Sequence, residues 1–324
     1  MDKLEKEAIS IAKEHKFNID KKVYQAFYYS SNNLRNIIYS GIFGGKRSVL
    51  KLYNDPRFTL EPKNQEIFNK NNKSKILIAP EVYKYKIESI HKGWLIMEEV
   101  PKKSKNFKSP ITKEEREEFI NLYIEYRKNF PYKPTRDLSL VENLNANKFN
   151  LFRINRWLEL ANNNDYDKEK VLDYKKFIRL FNKATEIIDK DFKGRKMIWC
   201  HGHFKPKEIF KVNKKLYYLT DFGHTHLFPE GSELTFMIWA DYFMEADWNL
   251  NYGQWSRGVI DWIEDLYILA QKLKIKKYKS LLRASLIERT LGAILGDVLA
   301  FNRPQKEKYA RIKLLTKLLE EIIG

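Results

Sequence analysis

The 324-residue chain has one cysteine and no long apolar run. A single cysteine, Cys200, excludes an intrachain disulfide and makes a reducing, cytoplasmic location the expectation. No stretch approaches the roughly 18 apolar residues of a membrane span, so no membrane-spanning segment is expected. The opening MDKLEKEAISIAKEHK mixes charges of both signs and lacks the apolar region of a secretory signal. Internal repeats and low-complexity segments are absent. No lysine block interleaved with aromatics marks a nucleic-acid surface, so no specific nucleic-acid partner is expected.

Apolar residues make up 43% of the chain and aromatics 14%, enough to bury a core in one large or two modest domains. The 60 Lys and Arg against 42 Asp and Glu leave a formal charge of +18, which attracts anions such as nucleotides. The basic residues are spread along the whole chain, as a genome rich in lysine, asparagine and isoleucine would also produce. Charge alone selects no partner.

In chain order, residues 2–15 read as an amphipathic helix with Leu4, Ala8, Ile11 and Ala12 on one face. Three β-like runs follow at 23–29, 36–43 and 48–53, the last two separated by Gly44-Gly45-Lys46, a good hairpin turn. Lys51 stands inside Val-Leu-Lys-Leu-Tyr, where an ammonium among apolar neighbours is costly unless paired. A helix is expected over 60–71, with Pro62 tolerated in its first turn. Strand-like pieces at 76–79, 82–87 and 93–100 precede PKKSKNFKSP, residues 101–110, which reads as a linker. Beyond it the pattern is helical. Thr112 and Glu115 form a capping-box pair ahead of Phe119, Leu122, Tyr123, Tyr126 and Phe130. Further helices are expected at 151–160, 171–188, 239–246, 259–273, 281–301 and 306–323.

The stretch from Ile198 to Gly223 carries the chemistry. A short apolar run, Met197 to Cys200, ends in His201-Gly202-His203. A polar loop leads into two β-like runs, 209–212 and 216–219, and then into Asp221-Phe222-Gly223. This layout resembles the aminoglycoside phosphotransferase and choline-kinase-like branch of the protein-kinase-like fold, which reads His-Gly-Asp-x-x-x-x-Asn and then Asp-Phe-Gly. The resemblance implies an α+β, two-lobed fold: an N-terminal helix in 1–20, a strand-rich N-lobe in 21–103 and a helical C-lobe in 104–324. It implies ATP, or another nucleoside triphosphate, with Mg²⁺ as cofactors and a small-molecule hydroxyl as acceptor. It makes Asp221 the metal aspartate and Lys51 the grip on the α- and β-phosphates. Glu66 becomes the helix partner of Lys51, with Glu61 as the alternative. Ser31 and Asn32 fall in the phosphate-covering turn, Met97, Glu98, Glu99 and Val100 at the adenine-contacting hinge, and Glu233 where the family has a supporting aspartate.

Two positions depart from that pattern. His203 stands where the family has its aspartate base, and Glu208 where it has a metal-binding asparagine. An imidazole accepts a proton, with an unperturbed pKa of about 6.5, but offers no anionic oxygen to hold a hydroxyl. A glutamate remains an acceptable ligand for a hard cation. Lys205 and Lys207 add positive charge close to where a γ-phosphate would lie. The residues therefore leave open an active phosphotransferase and a nucleotide-binding pseudokinase or scaffold. A third reading comes from two His-x-His pairs, His201/His203 and His224/His226, each of which would face one way in an extended segment and suit Zn²⁺ in a metal-dependent hydrolase. Asp241, Glu245, Asp247, Asp261 and Glu264 are candidates to meet a cationic acceptor, or else a solvated acidic face.

Overall fold

Asp2 starts the first helix, α1 (Lys3–Glu14): its carboxylate accepts from the Leu4 amide at 2.7 Å, while Glu5 accepts from the Asp2 amide at 3.1 Å. The face expected from the sequence, Leu4, Ala8, Ile11 and Ala12, is the one buried. The computed structural model describes residues 2–27, 33–56, 58–129, 145–164, 171–300 and 303–324. Phe130, assigned above to a helical stripe, lies outside the described residues, as do the last two residues of the first expected strand.

Helix α1 lies on an antiparallel sheet of β1 (Asn18–Phe27), β2 (Leu34–Phe43), β3 (Lys46–Asn54), β5 (Val82–Ile87) and β6 (Lys92–Glu98), in the order β1-β2-β3-β6-β5. Gly44 and Gly45 close the β2–β3 hairpin with φ of +55° and +79°, a conformation that side chains resist. Ile37, Leu50, Leu52, Trp94 and Ile96 pack with the α1 face into a small core of their own.

A second, larger core fills the rest of the molecule. It is built on α3 (Lys113–Asn129), α4 (Ala146–Asn164), α5 (Tyr174–Phe192), α6 (Ser232–Ile238), α7 (Tyr252–Lys272), α8 (Tyr278–Gly292) and α9 (Gln305–Ile323). Thr112 and Glu115 exchange the expected capping bonds at 2.9 and 3.2 Å, and Phe119, Leu122, Tyr123 and Tyr126 are buried as their spacing requires. Short π-helical turns at Trp239–Phe243 and Ala293–Leu299 extend α6 and α8. The two-lobed α+β architecture is as expected.

Two segments sit elsewhere than expected. Helix α2 (Glu61–Asn71) and β4 (Leu77–Ile78) follow the first strands in sequence, yet Phe68 and Leu77 belong to the larger core. Strand β4 pairs in parallel with β10 (Leu216–Leu219), in a sheet of order β4-β10-β9-β7 with β9 (Ile209–Asn213) and β7 (Lys105–Asn106). The lysine-rich stretch 101–110 is thus more than a linker, because β7 covers the open edge of β9. Such long-range pairings depend on partners more than a hundred residues away, which local pattern does not report. Finally β8 (Met197–Cys200) pairs with β11 (His226–Pro229), holding the two ends of the chemistry-bearing stretch side by side.

Candidate functional site

Between the lobes lies a buried ion pair. Lys51 points inward from β3 to Glu61, with Nζ 2.5 Å from Oε2, and only 5% and 1% of these residues are exposed. The Lys51 ammonium also lies 4.8 Å from the centre of the Phe58 ring. Burial disfavours the ammonium, but Glu61 and Asp221 outweigh it and leave Lys51 above the ordinary lysine range. Glu66 is not the partner. Residues 61, 64, 65 and 68 form the buried stripe of α2, and Glu66 falls off it, accepting from the Tyr85 hydroxyl at 3.2 Å.

The turn after β8 is fixed from behind. Glu233, at the start of α6, accepts from the Gly202 amide at 2.9 Å and from the Tyr123 hydroxyl at 2.9 Å. Arg127 donates to the Trp199 carbonyl at 3.3 Å. Gly202 has φ +78°, and a Cβ there would lie 2.1 Å from the His224 carbonyl oxygen. The close approach joins the His-Gly-His turn to the Asp-Phe-Gly turn. His201 is wholly buried, its Nδ1 accepts from the His203 amide at 3.3 Å, and burial pulls its pKa down to about 3, so it is neutral. It stacks edge-on against Phe222, 4.8 Å away.

Asp221 occupies the left-handed region at φ +65°, a conformation tolerated by Asp and Asn better than by most residues. Its Oδ2 accepts from His203 Nδ1 at 3.0 Å and lies 3.9 Å from His224 Nε2. A carboxylate only accepts, so His203 Nδ1 carries a proton and donates it to Asp221. The rings of His203 and His224 stack with centres 3.3 Å apart and planes 19° from parallel. Burial opposes the Asp221 charge, but His224, His203 and Lys51 outweigh it and hold the group well below the ordinary carboxylate range. Glu208, which burial and the nearby Asp221 charge push above the ordinary carboxylate range, is already engaged: Oε1 meets Lys205 Nζ at 3.2 Å and Oε2 accepts from the Thr220 hydroxyl at 3.1 Å.

No protein-family model matches this chain, and no curated protein matches it in sequence. Solved structures match along nearly its whole length. A thermostable mutant of aminoglycoside phosphotransferase APH(4)-Ia, in ternary complex with ADP and hygromycin B, superposes with a TM-score of 0.59 at 10% identity, covering 98% of this chain and 97% of that one. Choline kinase LicA from Streptococcus pneumoniae gives 0.57 at 11% identity, covering 98% of each chain. Spectinomycin phosphotransferase APH(9)-Ia, in complex with ADP and spectinomycin, gives 0.52 at 13%, covering 98% and 97%. The chain has the kinase-like phosphotransferase fold.

Within that fold the expected hinge, Met97 to Val100, ends β6 and is braced by its own side chains. Glu98 accepts from Tyr218 of β10 at 2.8 Å, while Glu99 takes hydrogen bonds from Ser40 and Arg47, each at 2.8 Å. Ser31 and Asn32, expected at the phosphates, lie outside the described residues. The acidic candidates for a cationic acceptor are largely engaged in structure. Asp241 is buried and accepts from Trp262 Nε1 at 2.8 Å and from the Ile111 amide, Glu245 pairs with Lys207 at 2.5 Å, and Asp261 lies 3.6 Å from Arg116.

The His-x-His pairs do not act as pairs. The turn at Gly202 sends His201 into the core and His203 into the cleft. His226 sits on β11 beside Phe149 and Phe228. One member of each pair, His203 and His224, meets at Asp221. His224 is not among the expected kinase-type site residues, and the sequence signals it through its His-x-His pair and its place directly after Asp-Phe-Gly.

Proposed function

We propose that the cleft between the lobes binds an ATP-type nucleotide together with a divalent cation, and that the chain is a small-molecule phosphotransferase of the reducing cytoplasm. The buried Lys51–Glu61 pair carries this reading. An ion pair this deep is a poor device for stability, because desolvating two charges consumes most of their attraction. Its orientation toward Asp221 gives it a use: an ammonium fixed by Glu61 is ready for phosphate oxygens. The proteins sharing the fold, whose structures hold ADP beside hygromycin B or spectinomycin, support the same reading.

The residues present fit a dication. Asp221 supplies a hard, ionised oxygen and would be the main ligand, with Glu208 available once Lys205 and Thr220 release it. Such a cation, when bound, neutralises charge on the transferring phosphoryl group. His203, oriented by its Nδ1–H bond to Asp221, presents Nε2 as the proton acceptor for a substrate hydroxyl, an arrangement in which a carboxylate sets the tautomer. Its loss should reduce transfer by about 10²- to 10⁴-fold, the usual worth of a positioned base.

A second reading, binding without transfer, is favoured by the same contact, since a histidine bonded to Asp221 supplies no anionic oxygen for an acceptor hydroxyl. Thermal unfolding with ATP, with and without Mg²⁺, tests the common part. Nucleotide should raise the midpoint, and Asp221→Asn should abolish the Mg²⁺-dependent share of that rise. No shift with ATP under either condition would refute nucleotide binding. Turnover of ATP that falls in His203→Ala separates the active protein from the binding one.

A further inference from the structure

Among the described residues, one group of three metal-ligating side chains has its donor atoms within 4.8 Å of one another: His203, Asp221 and His224. We propose that these residues form a three-ligand site for a divalent transition metal of the zinc class, with remaining positions open to the cleft. The inference rests on the reading that Asp221 faces a dication and concerns which dication it is.

The donors argue for it first. Two imidazole nitrogens and one carboxylate oxygen suit borderline metals, whereas Mg²⁺ favours an octahedron of oxygens. Two of the three donor separations lie near the zinc value. Two ligand atoms on a tetrahedral Zn²⁺, each at roughly 2.0–2.1 Å, lie about 3.3 Å apart. Asp221 Oδ2 stands 3.0 Å from His203 Nδ1 and 3.9 Å from His224 Nε2, on either side of that value.

The surroundings agree too. The turns carrying the three ligands are locked together at Gly202, which leaves no room for a Cβ against His224. Phe58 meets the His224 ring edge-on at 5.2 Å, and Phe236 lies 5.1 Å from the ring of His203, so both imidazoles are held by packing. The two nearby lysines are already matched, Lys51 by Glu61 and Lys205 by Glu208. Their carboxylate partners offset part of the repulsion that these ammonium groups would exert on a dication at Asp221.

Coordination through His203 Nδ1 displaces the proton now directed at Asp221. The neutral ring takes the other tautomer, with its proton on Nε2, so no oxidant or further reactant is needed. In that state Nε2 is a donor and His203 is not a base. Metal of this class would turn the site toward phosphate binding and away from transfer.

Calorimetric titration of the full chain with Zn²⁺ and, separately, Mg²⁺, both without nucleotide, tests the proposal. One Zn²⁺ per chain should bind at least ~100-fold more tightly than Mg²⁺, and His224→Gln should weaken Zn²⁺ by at least ~10-fold. His91→Gln, a change at an exposed histidine, should leave it unaltered. Equal Zn²⁺ affinity in His224→Gln and the unmodified chain, or Mg²⁺ competing on equal terms, would overturn it. If His224→Gln fails to fold, Co²⁺ bound to the unmodified chain decides the matter. Intense visible d–d bands of a four-coordinate nitrogen–oxygen site support the proposal, and the weak bands of an octahedral aquo ion reject it. Because no nucleotide is present, failure of ATP to stabilise the protein leaves this result standing.

Discussion

The two walls of the cleft are built on different principles. On the N-lobe side, Lys51 and Glu61 are buried deeply and pair with each other. On the C-lobe side, His203 and Glu208 depart from the family pattern: His203 meets Asp221 and stacks on His224, while Glu208 pairs with Lys205 across a short loop. The first wall is constrained by the cost of burying charge, so either partner is hard to change alone. The second is only half buried, and its residues can be exchanged while Glu233 and Gly202 keep the loop in place. The Lys51–Glu61 pair is thus under tighter physical constraint than the histidines across the cleft.

Breaking the first wall should have the largest effect. Lys51→Met leaves Glu61 buried without its cation and should cost about 3–5 kcal/mol, read from the shift of the denaturant midpoint, with loss of nucleotide stabilisation. A loss below about 1 kcal/mol would mean that the pair is not buried in solution.

Acid should come next. His201 is held neutral by burial, with its pKa near 3, while the unfolded chain takes up its proton near 6.5. Below that value the unfolded state binds more protons, so stability is full at neutral pH and declines as pH falls through this range. The span from 6.5 to about 3 corresponds to roughly 5 kcal/mol at its limit, of which about 3 is reached by pH 4. Melting temperatures from pH 7 to pH 4 should fall less steeply in His201→Gln than in the unmodified chain, after correction for the lower starting point. Equal slopes would assign the acid loss to other groups.

The support behind the second wall should matter less. Glu233→Gln keeps the shape but weakens the bonds to the Gly202 amide and the Tyr123 hydroxyl, at about 1–3 kcal/mol by thermal or chemical unfolding. An unchanged midpoint would show that the loop stands without it. Glu66→Ala sharpens the contrast from the other end. Its side chain is exposed and takes an exposed hydrogen bond from Tyr85, so the variant should stay within about 0.5 kcal/mol of the unmodified protein. A large loss there would restore Glu66 as the charge partner and overturn the placement of α2.

Much of the fold was legible because its signals are local. The α1 stripe, the Gly44-Gly45 hairpin and the Thr112–Glu115 cap all depend on residues within a turn of one another. The partner of Lys51 was harder, since Glu61 and Glu66 share one short helix and differ by its phase. Phe68 held the clue: it lies seven residues from Glu61, two helical turns on and on the same face, and Glu66 does not share that face. The meeting of His203 with His224 depended on the Gly202 turn, which reverses the alternation that would have kept each His-x-His pair together. The pairing of β4 with β10 had no local signal at all.

The position of α2 has a mechanical consequence. Lys51 is fixed to the sheet, whereas the helix carrying Glu61 is anchored through Phe68, whose ring lies 5.1 Å from Phe222 and 6.2 Å from Tyr126 in the larger core. The 2.5 Å salt bridge is therefore a clasp between two bodies rather than a brace inside one. Any rocking of the sheet over the helical body strains that clasp before it disturbs either core. Water reaching the cleft would then arrive first at two charges that have just lost each other.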